Sequence, residues 1–237
     1  MIELSAISGK AVLVTRPEPG ATETAARLTE RGLTPIIVPM LIIENLPARL
    51  PERVDAVLLT SRNGLTGLPA SLHDRPVFAV GAATAALARA QGFSLVISAD
   101  GDAEALAALV GRQAPRPRSL LLPTARGQGG DLATRLRRDG FAVHRRAVYR
   151  ARPATSLPAE VRTALEGGTV GTALFFSAET ARVFVAAVRH ARLDTAARGM
   201  AACAIGKAVA VALEALPWRR LRIAARPTQD DLLALIE

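Results

Sequence analysis

Short apolar runs alternate along this chain with longer segments in which apolar residues recur at helical spacing. The runs are apolar apart from residues at their ends; examples are Ala11–Thr15, Asp55–Thr60 and Ala201–Ile205. Such runs are typical of strands buried on both faces of a parallel sheet. The helical segments tend to end at glycine, as Ala21–Arg31 does at Gly32, because glycine readily adopts the left-handed conformation that ends many helices. The pattern predicts repeated βα units and therefore doubly wound α/β domains.

The same pattern assigns the other elements. Further strands are predicted at 77–80, 95–97, 119–122, 173–176 and 221–224, and further helices at 82–91, 103–110, 131–139, 179–189, 207–216 and 229–236. The helix that starts at 103 is expected to stop before Gly111. Two extended segments, 38–45 and 145–152, lead into no helix directly and are interpreted as connectors. About ten strands are expected in all, which corresponds to roughly two five-stranded sheets.

Four pairs of segments resemble each other, and the pairs suggest a duplicated domain. AVLVTRPEPGATETAARLTERGL resembles SLLLPTARGQGGDLATRLRRDGF, and VLLTSRNG resembles LFFSAETA. FAVGAATAALARAQG resembles CAIGKAVAVALEAL, and DGDAEALAALV resembles RPTQDDLLALI. Any two βα units share some similarity by chance, but four matches in one order favour duplication.

Composition and missing motifs exclude several functional classes. The net charge of +9 favours an anionic partner. Cys203 is the one cysteine, so no disulfide can form within the chain, and we interpret it as a core residue. Phosphate-loop, dinucleotide-binding and nucleophile-elbow motifs are missing, as is any metal-ligand spacing. No signal peptide or membrane span is recognised, so a cytoplasmic protein is expected.

The residues that directly follow the predicted strands are the candidates for ligand binding. Functional loops of parallel α/β sheets lie at the carboxyl ends of the strands, where helix N-termini favour anions. Arginine can clamp a carboxylate with two hydrogen bonds, and hydroxyls add more. Serine and threonine at these positions also suit helix N-caps, and the two roles are compatible. The candidates are Arg16, Thr60, Ser61, Arg62, Asn63, Thr84, Arg126, Ser177, Ala178, Lys207 and Thr228.

Taken in order, the strand–helix junctions resemble those of the uroporphyrinogen-III synthase family. The series is VLVTRP, VLLTSRNG, FAVGAATA, LLPTARG, AVYR, LFFSAETA, AIGKAVA and RPTQDDLL, and it covers nearly the whole chain. The resemblance implies two doubly wound domains with flavodoxin-like parallel sheets. One is discontinuous, 1–37 plus 152–237, and the other is 46–144. The connectors 38–45 and 145–151 are expected to form a two-stranded β-ladder between them.

The resemblance also implies a reaction. Family members cyclise hydroxymethylbilane, a linear tetrapyrrole with carboxylate side chains, to uroporphyrinogen III with loss of water and inversion of ring D. No cofactor or metal is expected, and neither a nucleic-acid nor a membrane partner. A monomer is expected, with transient hand-over of substrate from hydroxymethylbilane synthase.

Tyr149 is the candidate catalytic residue. It is the sole tyrosine and matches the family's tyrosine in its VY motif. A phenol is protonated at neutral pH and can act as a general acid. A tyrosine that only packs the connector is the alternative interpretation. Flanking Arg146 and Arg150 are expected to attract an anionic substrate.

The chain departs from the family at one motif. Val209 stands where a threonine usually follows the glycine of GKAVA, whereas Thr84 is kept in GAATA. Valine cannot form the hydrogen bonds of a hydroxyl, so Lys207 is the candidate substitute for carboxylate binding.

Three other functions remain open on the sequence. One is a two-domain protein that binds a tetrapyrrole or an anionic solute without catalysis. The second is a nucleic-acid-binding module, which the charge suggests but which lacks a recognisable motif. The third is a synthase homologue that has become regulatory.

Overall fold

The computed structural model describes residues 11–113 and 119–236. Residues 1–10, at the start of the range predicted as 1–37, lie outside the described residues, as do 114–118 and 237. Contacts divide the chain into two compact units, Met1–Ile42 with Arg152–Glu237, and Ile43–Ala151.

The first unit contains a five-stranded sheet in which every neighbouring pair is parallel. Its strands are β1 (Ala11–Val14), β2 (Thr34–Ile37), β9 (Val170–Phe175), β10 (Ala201–Ala204) and β11 (Arg220–Ile223), and they lie side by side in the order β2-β1-β9-β10-β11. Its helices are α1 (Gly20–Thr29), α5 (Ala159–Glu166), α6 (Ala178–His190), α7 (Lys207–Leu213) and α8 (Gln229–Leu233).

The second unit is built around a six-stranded sheet. Its strands are β3 (Leu41–Asn45), β4 (Ala56–Leu59), β5 (Val77–Ala79), β6 (Val96–Ser98), β7 (Ser119–Ala125) and β8 (Ala142–Pro153), in the order β3-β8-β7-β4-β5-β6. Its helices are α2 (Ala82–Ala90), α3 (Ala103–Gln113) and α4 (Gly130–Arg138). The pairs from β8 to β6 are parallel. A two-stranded ladder that joins the domains stays a prediction.

The two sheets share one topology, which accounts for the repeated segments. In the first, β1 lies between β2 and β9; in the second, β7 lies between β8 and β4. If β7 corresponds to β1, the orders β2-β1-β9-β10-β11 and β8-β7-β4-β5-β6 match strand for strand. Along the chain, the strands of the second unit therefore occur in a circularly permuted order relative to those of the first.

Each sheet has apolar layers on both faces, as the uninterrupted apolar runs predict. Strand β9 is buried along its whole length, and β4 likewise. In the first unit Phe175, Phe184 and Trp218 form a group of aromatic rings, with centroids 5.3 Å apart for Phe175 and Phe184. The α/β fold with parallel sheets is confirmed.

Some element boundaries differ from the predictions. Helix α3 continues through Gly111 to Gln113, since an exposed glycine near a helix end costs only about 1 kcal/mol. Helix α7 ends at Leu213, earlier than predicted. The sequence patterns did not identify β2, which is polar at its first residue, or α5, which is separated from β8 by residues 154–158. Eleven strands occur among the described residues, where about ten were expected.

Candidate active site

In the first unit, the predicted site residues follow neighbouring parallel strands. The carboxyl ends of β1, β9, β10 and β11 lie side by side because these strands are consecutive in the sheet. Helices α6, α7 and α8 follow β9, β10 and β11. The residues at this edge are Arg16, Ser177, Ala178, Lys207 and Thr228.

Ser177 and Thr228 are N-caps with side-chain hydrogen bonds. The Ser177 hydroxyl oxygen accepts from the N–H of Thr180 at 3.2 Å. The Thr228 hydroxyl oxygen accepts from the N–H of Asp231 at 3.2 Å. Each hydroxyl therefore satisfies a helix N–H that would otherwise need water or a ligand. Ala178, the first residue of α6, is half-buried.

Arg16 folds across the start of α1. Its Nη1 lies 2.9 Å from Oε1 of Gln229 and 3.4 Å from Oγ1 of Thr24. Its Cζ lies 4.2 Å from the centroid of the Phe176 ring, which is a cation–π contact. The guanidinium is therefore held by three elements of the first unit.

Lys207 and Val209 both lie in the first turn of α7 but face differently. Lys207 is exposed and follows Gly206, which caps the helix without a side chain. Val209 is buried and belongs to the apolar core of the unit. At this position the chain therefore has an apolar side chain that packs in the core.

In the second unit, the segment after β4 forms a 3-10 turn, Arg62–Leu65, instead of an α-helix. The Ser61 hydroxyl oxygen accepts from the N–H of Asn63 at 3.3 Å and caps the turn. A side chain on Gly64 would come within 3.0 Å of the carbonyl oxygen of Pro123 in β7. This close approach packs the turn onto β7. Thr60, Ser61, Arg62 and Asn63 are all half-buried there.

Thr84 lies in the first turn of α2, after β5. Its residue surface is 6% exposed. The Thr84 hydroxyl has no hydrogen-bond partner among the described residues. No fully buried side-chain oxygen among those residues lacks such a partner. The hydroxyl therefore reaches solvent while the rest of the side chain packs against the unit.

A β-bulge places Tyr149 at the carboxyl end of β7. The β7–β8 register runs evenly to the pair Thr124–Ala147, and the next pair is Ala125–Tyr149. Val148 is the extra residue on β8. A bulge of this kind changes the direction of the following side chain, and bulges are frequent next to active sites.

The Tyr149 ring is buried and its hydroxyl is accessible. The ring packs with Ala125 and Val148, and the partly buried side chains of Ile43 and Leu50 pack against this cluster. The hydroxyl has no hydrogen-bond partner among the described residues, yet no fully buried oxygen there is unsatisfied. It therefore reaches the surface. Arg126, which follows β7, is exposed, and its backbone N–H donates to the Tyr149 carbonyl oxygen at 2.9 Å.

The arginines that flank Tyr149 have protein partners. Arg150 forms an ion pair with Glu44, at 2.6 Å between Nη2 and Oε2. Arg146 donates through Nε to the carbonyl oxygen of Arg49 at 2.9 Å. The expectation that both arginines attract substrate did not foresee these contacts, and Glu44 offsets the charge of Arg150.

Two carboxylates of the chain have altered acidity. The Arg226 guanidinium, through two hydrogen bonds of 2.8 and 3.0 Å, lowers the pKa of Asp231, and Asp231 in turn raises the pKa of Arg226. The N–H groups of Ala105 and Glu104 lower the pKa of Asp102, which caps α3. Arg226 and Asp102 are exposed, and Asp231 is half-buried.

Two pockets, one in each unit, do not coincide with these residues. One of ≈ 320 Å³ is lined by Ser156, Arg162, His190 and their neighbours in the first unit. Another of ≈ 270 Å³ lies between Leu50 and Arg75 in the second. Neither cavity includes a strand end with its helix N-terminus, so the strand ends are the better candidates for binding an anion.

Within residues 11–113 and 119–236, no three His, Cys, Asp or Glu side chains are grouped so that they could hold a metal ion. No helix in those ranges is long and apolar enough to cross a bilayer.

Three residues at these edges were not predicted from the sequence: Phe176, Gln229 and Glu44. Phe176 directly precedes Ser177, and Gln229 directly follows Thr228. Their position next to candidate residues was the signal in the sequence that could have identified them. Their contacts reach Arg16 and Arg150 from distant parts of the chain. Local patterns carry no information on such pairs.

Solved structures with the same fold include uroporphyrinogen synthases. The crystal structure of uroporphyrinogen-III synthetase from Helicobacter pylori 26695 is 18% identical and has a TM-score of 0.63, covering 95% of this chain and 97% of that chain. A mutant uroporphyrinogen III synthase from the extremely thermophilic bacterium Thermus thermophilus is 21% identical, with a TM-score of 0.49, and covers 94% of this chain and 96% of that one. The Helicobacter pylori structure supports the fold assigned here.

The family itself is identified by sequence. The protein-family model described as "Uroporphyrinogen-III synthase HemD" matches residues 22–234, which is most of the chain. This match favours a synthase over a binding protein without catalysis. The chain belongs to the uroporphyrinogen-III synthase family, whose members are enzymes of haem biosynthesis.

Proposed function

We propose that the chain is a carbon–oxygen lyase that converts hydroxymethylbilane to uroporphyrinogen III. The observation that carries this proposal is the family match over residues 22–234. The hydroxyl of the substrate leaves as water and generates an azafulvene. The last pyrrole attacks through its substituted carbon, and the spiro intermediate fragments and closes again with ring D inverted.

Tyr149 is the proposed general acid for the loss of the hydroxyl. Its ring is held by Ala125 and Val148, and its hydroxyl is accessible. A phenol protonated at neutral pH can donate to the departing oxygen. The phenolate that forms takes back a proton as the last pyrrole loses one on rearomatisation, so the enzyme returns to its starting state.

The anion-binding elements are proposed to hold the carboxylates of the substrate. In the first unit, Arg16 and Lys207 supply positive charge beside three helix N-termini. In the second, Thr84 and Arg126 lie at the corresponding strand ends. Helix N-termini favour negative charge, and each unit offers several. The full proposed set is Arg16, Thr60, Ser61, Arg62, Asn63, Thr84, Arg126, Ser177, Ala178, Lys207 and Thr228.

The main task of such an enzyme is control of ring closure. Hydroxymethylbilane also closes without an enzyme, and this uncatalysed closure gives the type I isomer. An enzyme that fixes the conformation of the chain can favour one closure over the other. We further propose that the protein acts as a monomer in the cytoplasm and receives substrate by transient hand-over from hydroxymethylbilane synthase.

A coupled assay tests the function. Hydroxymethylbilane is generated in situ, the protein is added, and the oxidised porphyrins are separated by chromatography. We expect a change from mostly type I to mostly type III product. Type I product that still dominates at high protein concentration would refute the synthase activity, and tetrapyrrole binding without turnover would then be measured by fluorescence.

A further inference from the structure

Arg16 is oriented by residues from distant parts of the first unit. Its Nη1 donates to Oε1 of Gln229 at 2.9 Å and approaches Oγ1 of Thr24 at 3.4 Å. The Thr24 hydroxyl itself donates to the carbonyl oxygen of Gly20 at 2.9 Å. Its oxygen lone pairs are therefore the side that faces Arg16, which agrees with a donor–acceptor chain from Arg16 through Thr24 to the backbone.

The Phe176 ring supports the face of the Arg16 guanidinium. Its centroid lies 4.2 Å from Cζ of Arg16, so the guanidinium plane is supported on a π face. Phe176 follows β9 directly, and Gln229 is the first residue of α8. Gln229, Thr24 and Phe176 are uncharged side chains that orient the guanidinium.

Gly20 leaves room for the Arg16 side chain, and its backbone conformation does not itself call for glycine. A side chain on Gly20 would lie 2.4 Å from Nε of Arg16 and 2.5 Å from Cζ. Gly20 is not among the residues of the chain that have a positive φ. Its missing side chain is therefore what leaves room for the guanidinium over the first turn of α1.

We propose that Gly20, Phe176 and Gln229 are positioning residues for Arg16, which they hold ready to bind a substrate carboxylate. This inference rests on the proposed function. A long cationic side chain that is already ordered loses less conformational entropy on binding than a mobile one.

A double-mutant cycle tests the coupling. We expect Gln229→Ala to raise KM for hydroxymethylbilane roughly twofold to tenfold with little change in kcat. The reason is that the entropic cost of ordering one long side chain on binding corresponds to about this change in affinity. In an Arg16→Ala background the same substitution is expected to change KM by less than about twofold, since coupled residues are non-additive. An equal effect of Gln229→Ala in both backgrounds would overturn the inference.

Two further variants separate positioning from stability. Gln229→Glu is expected to keep or raise Tm, because it can pair with Arg16, and yet to raise KM. Gly20→Ala is expected to raise KM, whereas Gly199→Ala is the matched control, because a side chain there meets no atom within 4 Å. A Gln229→Glu variant with unchanged KM would contradict the inference.

The two proposals can fail separately. A wild-type protein that forms no type III product would overturn the proposed function and this inference together. An active wild type whose Arg16→Ala variant keeps its KM would leave the synthase activity intact and overturn only the role of Arg16 and its positioning residues.

Discussion

The carbonyl oxygen of Tyr149 accepts a hydrogen bond from the backbone N–H of Arg126 at 2.9 Å. The bond forms just beyond the bulge, where Ala125 pairs with Tyr149 instead of Val148. The extra residue on β8 therefore brings the proposed acid and the first residue after β7 to the same sheet edge. A regular strand would direct Tyr149 to the opposite face of the sheet from its present one.

Tyr149→Phe tests the role of the phenol. The variant keeps the buried ring and removes the hydroxyl that reaches the surface. We expect kcat/KM for type III product to fall by about 10²–10⁴-fold, the usual contribution of a general acid. The measurement is the coupled assay, with Tm as the control for folding. A kcat/KM within twofold of the wild type would exclude Tyr149 as the acid.

Lys207→Ala tests the proposed replacement for the missing threonine. Lys207 is exposed at the start of α7, so its pairing with a carboxylate is weakened by solvent. We expect KM to rise roughly twofold to fivefold, the range for an exposed ion pair. Lys207→Arg, which keeps the charge, should restore most of the affinity. Equal KM values for Lys207→Ala and the wild type would remove this residue from the site.

Val209→Thr and Thr84→Val form a reciprocal pair. Val209 lies in the apolar core of the first unit, so a hydroxyl there loses its contact with water. We expect Val209→Thr to lower the free energy of unfolding by about 1–3 kcal/mol. Thr84→Val removes a hydroxyl that reaches solvent, so stability should change by less than about 0.5 kcal/mol.

Urea unfolding followed by circular dichroism measures both variants of that pair. If Thr84 binds substrate, Thr84→Val also raises KM while Tm is preserved. A Val209→Thr variant as stable as the wild type would show that the hydroxyl finds a partner at this position, and the restored threonine should then be assayed for activity.

Gly129→Ala and Gly127→Ala separate backbone strain from steric overlap. Both glycines have positive φ, +76° and +83°, and an L-residue there costs about 1–2 kcal/mol. A side chain on Gly129 would also lie 2.6 Å from Cγ2 of Thr124, whereas one on Gly127 meets nothing within 4 Å. We expect Gly129→Ala to be the more destabilising by about 1–3 kcal/mol in urea unfolding, the typical cost of overpacking. Equal losses would contradict the overlap.

Asp231→Asn tests the exposed pair with Arg226. The pKa of Asp231 is lowered in the folded state by the hydrogen bonds to Arg226. A carboxyl of this kind stabilises the fold above its unfolded pKa, and the contribution is lost as pH falls through the lower, folded pKa. We therefore expect the variant to have a lower Tm than the wild type at pH 7 and the difference to shrink below about pH 4. Screening by 1 M salt should also reduce the difference. A Tm difference that stays constant from pH 7 to pH 2 would contradict the assignment.

Local sequence patterns were enough to identify most of the βα units and to locate the candidate residues along them. Periodicity and glycine stops are local properties, so β1, β4, β9 and most helices were predicted within a few residues. The ordered junction motifs also carried the family resemblance. Helix α5 and strand β2 were not predicted because neither has a distinctive local pattern. The continuation of α3 through Gly111 was not predicted either, because an exposed glycine near a helix end costs little.

The way these local units combine became visible only in three dimensions. Strand order makes the second sheet a permuted copy of the first, and the pairing of β7 with β8 creates the bulge at Val148. Arg16 meets Gln229 across 213 positions of the chain. Such contacts depend on the closure of long loops and on the packing of whole layers, and no window of sequence encodes them. The chemistry of each side chain is thus local, whereas its orientation is a property of the fold.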